Sequence, residues 1–161
     1  MCDNLISTIE INKDKKTNNV LDINSNEFIK TLALFLKEKN IIKVPKYASI
    51  VKCGHANDTH PVDQDYFYSK AAAIFRRLYV TKNKNLGIGT LRVLLGKKQR
   101  RGVQPPKFFK AGGKLIADIV HQLKSAKYVE NYNDEDSNIS GLKLTSKGRA
   151  ELDKIANGMK K

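Results

Sequence analysis

The segment AGGKLIADIVHQLKSAKYVENYNDEDSNISGLKLTSKGRAELDKI, residues 111–155, carries the pattern that decides the fold. Its first part predicts a helix from about 111–113 to residue 124, because apolar residues recur there at helical spacing. These residues are Leu115, Ile116, Ile119, Val120 and Leu123. A strand is predicted over residues 127–130, then an acidic polar loop over 131–141 and a returning strand over 142–145.

A last helix follows this predicted hairpin. Thr145 or Ser146 is a suitable N-cap for it, and the helix should continue to about Ile155. Its apolar positions are Leu152, Ile155 and Ala156.

Two helices are predicted upstream. The first starts near Asn24, a candidate N-cap, with Glu27 three residues on as in a capping box. The second runs from Asp63 or Asp65 to Val80, since acidic residues suit a helix N-terminus. The order helix, helix, strand, long loop, strand, helix is typical of a winged-helix module. We therefore expect a mainly α, winged-helix-like helical domain with a small β-hairpin wing.

The region between the second predicted helix and the segment 111–155 shows neither helical nor strand periodicity. Residues 86–95 are apolar and interrupted by glycine, so an extended or loop conformation is expected. Residues 96–106 are expected to form a basic loop that contains Lys97-Lys98-Gln99-Arg100-Arg101 between Gly96 and Gly102. Four charges in five residues cannot be buried unpaired, and Arg and Lys side chains suit phosphate.

The chain of 161 residues fits one domain and an extension. Residues 1–19 are polar and aperiodic and are interpreted as a flexible N-terminal extension, and 20–161 as a single winged-helix-like domain. Two cysteines, Cys2 and Cys53, do not form a disulfide framework and suit a reducing compartment. The start of the chain lacks signal-peptide features, and no apolar run is long enough to span a bilayer. We expect an intracellular protein without a membrane partner.

Charge is distributed very unevenly along the chain. Residues 66–117 contain thirteen of the thirty Lys and Arg residues and no Asp or Glu. This segment therefore accounts for +13 of the formal net charge of +14. Like charges repel in a compact state, so a polyanion is the expected partner, and nucleic acid is the commonest one. The candidate RNA-binding residues are Lys70, Arg76, Arg77, Lys82, Lys84, Arg92, Lys97, Lys98, Arg100, Arg101, Lys107, Lys110 and Lys114. In the second helix, Lys70, Arg76 and Arg77 are expected to lie on the outer face.

Two aromatic residues, Phe108 and Phe109, lie inside this basic region. Aromatic rings among Lys and Arg can stack on unpaired bases. The alternative is that at least one of them enters the core before the next helix, and this alternative is favoured here.

Other kinds of site have weak signals. Gly87-Ile-Gly89-Thr90 lacks the spacing of a phosphate-binding loop. Cys53, His55 and His60 lack a clear fourth zinc ligand, and His121 has no recognisable catalytic partner. We therefore expect no metal, no cofactor, no small-molecule substrate and no enzymatic activity.

Several stretches together resemble the archaeal and eukaryotic small-subunit ribosomal protein nineteen family (the S-nineteen-e type). They are Val44-Pro45, the helix Asp65-Tyr-Phe-Tyr-Ser-Lys-Ala-Ala-Ala-Ile-Phe-Arg-Arg-Leu-Tyr79, Gly87-Ile-Gly89, Gly96 through Gly102-Val103 with Pro105, Lys127-Tyr-Val-Glu130, and Leu144-Thr-Ser-Lys-Gly-Arg149. The resemblance covers about Asn24 to Ile155 and is carried by the shared order and spacing.

The resemblance implies a winged-helix core and a structural role in the head of the small ribosomal subunit. Implied partners are small-subunit ribosomal RNA and neighbouring small-subunit ribosomal proteins. It also implies a part in maturation of the small-subunit precursor, with a cytoplasmic location on the ribosome and nucleolar or nuclear passage if the source is eukaryotic. Tyr66 stands where the family usually has Trp, and Ala117 and Asp118 stand where it often has basic residues.

The same topology leaves a second hypothesis open, a winged-helix DNA-binding regulator. Such a regulator should read base edges from one helix. The predicted helix after Gly112 and Gly113 offers only Lys114 and Asp118 in its first turns, which is poor for base readout.

Overall fold

The computed structural model describes residues 19–81, 86–134 and 139–159. Within them lie five α-helices, a short 3-10 helix (Lys46–Ser49) and two antiparallel hairpins. The helices are α1 (Ser25–Glu38), α2 (Tyr66–Val80), α3 (Ile88–Leu94), α4 (Gly113–Ser125) and α5 (Ser146–Gly158). The strands are β1 (Lys97–Arg101), β2 (Gln104–Phe109), β3 (Val129–Asp134) and β4 (Ile139–Leu144). No helix among the described residues is long and apolar enough to cross a membrane.

Helix α1 begins and ends as its sequence indicates. The Asn24 side chain accepts a hydrogen bond from the backbone N–H of Asn26, which confirms the predicted cap. At the other end Asn40 adopts φ 49°, and the N–H of Ile41 donates to the carbonyl of Leu36. This left-handed residue and its 6→1 hydrogen bond are the features of a Schellman stop.

Helix α2 packs against α1 and buries a broader face than its sequence stripe suggested. The predicted Phe67, Ala71, Ile74 and Leu78 are buried. Ala72, Phe75 and Tyr79 are buried as well, so the core wraps around more than one side of the helix.

The winged-helix prediction for the C-terminal part is confirmed. Strands β3 and β4 form the wing with Val129 opposite Leu144, and the Thr145 side chain caps α5 by accepting from the N–H of Gly148. Gly148 is buried so tightly that a Cβ there would lie 2.6 Å from the carbonyl oxygen of Tyr128. This close approach fixes α5 against the base of the wing.

Three local expectations were wrong. Residues 131–141, expected to be an acidic loop, are strand over 131–134 and 139–141, because β3 continues to Asp134 and β4 begins at Ile139. Residues 88–94, expected to be extended or loop, form helix α3, in which Leu91 is buried and packs toward α4. Its other apolar residues Ile88, Val93 and Leu94 are exposed. Because only Leu91 faces the core, the apolar residues of this segment show no helical period. Residues 96–106, expected to be a loop, contain β1, the turn and the start of β2. The hairpin buries no apolar face, so its sequence lacks the alternating apolar pattern that predicts a strand.

One continuous core joins α1, α2, α4, α5 and the wing. It begins at Val20, which is fully buried, next to the predicted domain start. The predicted flexible extension, apart from Asn19, and the candidate residues Lys82 and Lys84 lie outside the described residues.

Candidate nucleic-acid interface

The β1–β2 hairpin carries the densest group of candidate residues. Lys97 pairs with Phe109, Lys98 with Phe108, and Gln99 with Lys107 in an antiparallel register. Lys97, Lys98, Arg100, Arg101, Lys107 and Lys110 are all exposed. The predicted cationic segment is therefore a two-stranded ribbon whose register sets which residues lie opposite one another.

The end of the hairpin is a two-residue turn, Gly102 and Val103. Gly102 has φ +67°, a left-handed value that a β-branched side chain rarely adopts. The register shifts between Gln99 and Arg101, opposite Pro105 and Pro106, because proline has no N–H for the ladder. The Arg101 guanidinium donates to the carbonyl of Pro105 through Nε (3.2 Å) and Nη2 (2.9 Å). Arg101 thus stabilises the irregular turn and also exposes its charge.

One face of the ribbon packs on the loop before α2. Lys97 Nζ donates to Asn57 Oδ1 at 3.2 Å, and Gln99 Nε2 lies 3.5 Å from Asp58 Oδ1. The Phe109 ring contacts His55 with a centroid separation of 4.4 Å. Sequence reasoning missed these loop residues, since contacts across some 40 positions leave no local signal.

The other face of the ribbon points outward. Lys98 and Phe108 are cross-strand partners on this face, and Phe108 is 43% exposed. The favoured expectation that at least one of the two phenylalanines enters the core was wrong. Phe108 is exposed, and Phe109 is half-buried against a polar loop outside the core cluster.

Arg92 holds the base of the hairpin to α3 and α4. The Arg92 Nε donates to the carbonyl of Ala111 at 3.2 Å, and the Ala111 N–H donates to the backbone carbonyl of Arg92 at 2.9 Å. Gly113 lies under the guanidinium, where a Cβ would be 3.2 Å from Nε. The N–H of Gly112 donates to the carbonyl of Cys53, which fixes the loop before α2 to the same point. Arg92 therefore has a structural role besides its predicted one.

Lys70 of α2 reaches the hairpin. Lys70 and Lys97 line one open cleft of about 640 Å³, together with Asn57, Asp58, His60 and Tyr66. Lys70, Lys97 and Lys110 also line a smaller adjoining cavity beside Gly96. The fold thus brings a helix residue and the base of the ribbon to one surface.

The other two basic residues of α2 differ from each other: Arg77 is exposed as expected, whereas Arg76 is not fully exposed. Arg77 is exposed and lines a separate cavity of about 150 Å³ with Leu91 and Leu94 of α3. Arg76 is half-buried, and its Nε is shielded from solvent without a hydrogen-bond partner in the described part of the chain. The expectation that Arg76 lies freely on the outer face was wrong, because the broader buried face reaches its flank.

Lys114 lies apart, at the start of α4. Its Nζ is 4.6 Å from the centroid of the Tyr47 ring, and the Tyr47 hydroxyl donates to Asp118. Burial, with the bond to Asp118, raises the pKa of Tyr47 to about 12. This arrangement ties the 3-10 helix to α4 and occupies the first turns of that helix.

Among the described residues no candidate cation forms an ion pair, although Asp58 and Asp63 line the same cleft as Lys70 and Lys97. The ion pairs found in the described ranges are Lys37–Asp65, at 2.8 Å, and Lys154–Glu151, at 3.4 Å, and neither contains a candidate residue. In the same ranges no group of three or more His, Cys, Asp or Glu side chains could hold a metal ion. The cations of the hairpin lie on both faces of the ribbon, with Lys70 and Lys110 at its base, and this group is hereafter called the hairpin surface.

Comparison with known sequences gives one consistent family. A sequence model described as ribosomal protein S19e matches residues 19–161. The chain is 37% identical over 141 residues to small ribosomal subunit protein eS19 of Argopecten irradians, covering 88% of this chain and 93% of the relative. It is 34% identical over 145 residues to small ribosomal subunit protein eS19G of Ascaris suum, covering 90% and 94%. It is 32% identical over 143 residues to the eS19 protein of Oryza sativa subsp. japonica, covering 89% and 93%.

Proposed function

Because the chain belongs to the ribosomal protein S19e family, we propose that it is a non-catalytic constituent of the small ribosomal subunit. In this proposal it binds ribosomal RNA in the head of the subunit, contacts neighbouring ribosomal proteins, and takes part in maturation of the subunit precursor. It acts on cytoplasmic ribosomes, with nucleolar or nuclear passage during assembly if the source is eukaryotic. The single observation that supports RNA binding best is the hairpin surface, whose exposed Lys and Arg form no ion pair with a carboxylate of the residues that the structure describes.

Binding would depend mainly on phosphate neutralisation. Each Lys or Arg that replaces a counterion on the backbone adds to the affinity, so the affinity falls steeply with salt. A-form RNA exposes its phosphates and its wide minor groove, so a narrow two-stranded ribbon would recognise shape more than sequence. Lys70 and Lys110 extend the contact from the ribbon to its base.

The test uses the outward residues that have no structural hydrogen bond within the hairpin. We expect the double variant Lys98→Ala/Arg100→Ala to fold normally but to bind small-subunit RNA more weakly, with a salt slope lower by roughly 1 per residue. The measurement is the RNA affinity as a function of salt concentration. The matched control is Lys30→Ala/Lys43→Ala, which removes two exposed charges outside residues 66–117. Equal affinities and slopes for the two double variants would contradict the proposal.

The DNA-regulator hypothesis finds less support. Lys114, which would begin a recognition helix, lies over Tyr47, and Asp118 accepts from the hydroxyl of Tyr47. A base-reading helix needs free donors and acceptors in its first turns. Those positions of α4 instead serve contacts within the protein.

A further inference from the structure

We infer that Phe108 is a stacking platform for an unpaired nucleobase of the bound RNA. The inference rests on the proposed function and deepens it, since it adds single-stranded or extruded nucleotides to the phosphate backbone as a ligand. It concerns one ring whose position the hairpin fixes.

The position of the Phe108 ring depends on Gly96. A Cβ on residue 96 would lie 2.4 Å from Phe108 Cζ and 2.7 Å from the carbonyl oxygen of Phe109. Any larger residue at 96 would therefore displace the ring or the strand. The ring lies against bare backbone and still exposes 43% of the residue to solvent.

Phe109 provides an internal comparison. It has the same side chain in the adjacent position, but its ring contacts His55 on one side, and Lys107 Nζ is 5.8 Å from its centroid. Phe109 is thus used to pack the ribbon on the loop before α2. Phe108 lies on the opposite face, outside the buried core of the described residues.

The surroundings of Phe108 indicate what its exposed face binds. Its cross-strand partner is Lys98, and Arg100 lies two residues further along β1; both are exposed. An aromatic ring beside cations that follow a backbone is the combination that binds single-stranded nucleic acid. Every base has a π face, so the platform should tolerate all four bases.

The chain contains no Trp, so Phe108→Trp introduces a single indole as a local reporter. The probes are an adenosine RNA oligonucleotide of about 12 nucleotides, within the usual range of site sizes, and a mixed-sequence RNA duplex of similar length. We expect the oligonucleotide to quench the indole emission at saturation, and the duplex to quench it much less. We expect Phe108→Leu, which keeps an apolar contact with Gly96, to bind the oligonucleotide roughly 5- to 100-fold more weakly than the unchanged protein.

The matched control is Phe109→Leu, which should retain most of the oligonucleotide affinity. The inference is overturned if the oligonucleotide does not bind, if the indole is not quenched at saturation, or if Phe108→Leu binds as tightly as the unchanged protein. If Phe108→Leu impairs incorporation into subunits without weakening oligonucleotide binding, the ring contacts a neighbouring protein and the inference also fails. Failure of the proposed function is distinguishable, because the Lys98→Ala/Arg100→Ala variant would then bind small-subunit RNA like its control.

Discussion

At the scale of single residues, the structure assigns roles that the residue type alone did not indicate. Arg101 and Arg92 were selected for charge, but both also donate to backbone carbonyls that shape the hairpin. Tyr79 is similar: it is buried in α2, and its hydroxyl donates to Asp153 of α5 at 2.7 Å. A polar atom on a core residue thus connects two helices.

Tyr79 should make the stability of the protein depend on alkaline pH. Burial, supported by the bond to Asp153, raises the pKa of Tyr79 to about 12 from an ordinary value of 10.0. A folded-state pKa above the unfolded one means that the stabilisation is complete below about pH 10 and is lost as pH rises toward about 12. We expect the free energy of unfolding to decrease over this window, as measured by urea unfolding alongside tyrosinate absorbance.

Tyr79→Phe is the corresponding variant. It should lose about 1–3 kcal/mol near neutral pH, because Asp153 loses its donor, and its alkaline decrease should be smaller. An alkaline decrease of the same size in Tyr79→Phe and in the unchanged protein would show that Tyr79 is not its source.

At the scale of elements, the two hairpins differ in what they contribute. The wing supplies Val129, Leu142 and Leu144 to the core, and its base holds Gly148 of α5. The β1–β2 hairpin supplies no residue to the buried core of the described chain. The β1–β2 hairpin is therefore suited to binding, and the wing contributes to stability.

The turn of the β1–β2 hairpin tests this division. Gly102→Val places a β-branched residue at φ +67°, which should cost roughly 1–3 kcal/mol locally and disorder the ribbon. We expect RNA affinity to fall while the thermal midpoint changes by only a few degrees, since the core is untouched. The neighbouring Val103→Ala, at a fully exposed position without positive φ, is the control and should change neither quantity. A large loss of thermal stability in Gly102→Val would contradict the division of roles.

At the scale of the whole molecule, the charge of residues 66–117 is concentrated but not on one uniform face. The hairpin, Lys70 and Lys110 lie together, whereas Lys114 lies over Tyr47, and Arg77 lies beside α3. The cations that come together lack carboxylate partners in the described ranges, so they are available to a polyanion.

Assembly in the cell provides the test at this scale. In a lysate, we expect the protein to sediment with the small subunit and to be released by ribonuclease, because RNA supplies the counter-charge. Raised salt should release the Lys98→Ala/Arg100→Ala variant at a lower concentration than its Lys30→Ala/Lys43→Ala control. Sedimentation as a free dimer, with or without ribonuclease, would instead favour the DNA-regulator hypothesis.

The amino-acid sequence by itself determined the elements that have a buried face. The apolar stripes of α1, α2, α4 and α5, the caps at Asn24 and Thr145, and the wing could be predicted because burial imposes a period on the residues that face the core. The candidate cations were also evident, since a long segment without acidic residues is a property of the sequence alone.

Only the tertiary structure decided the elements and contacts that no period encodes. The β1–β2 hairpin buries neither face in the core of the described residues, and α3 buries only Leu91 fully, so neither element produced a readable pattern. The shared cleft of Lys70 and Lys97 and the partial burial of Arg76 depend on distant segments packed together. The position of Phe108 against Gly96 depends on the strand register of the hairpin. Local sequence specifies which side chains avoid water, but the proximity of residues far apart in the chain is set by how the helices and loops pack.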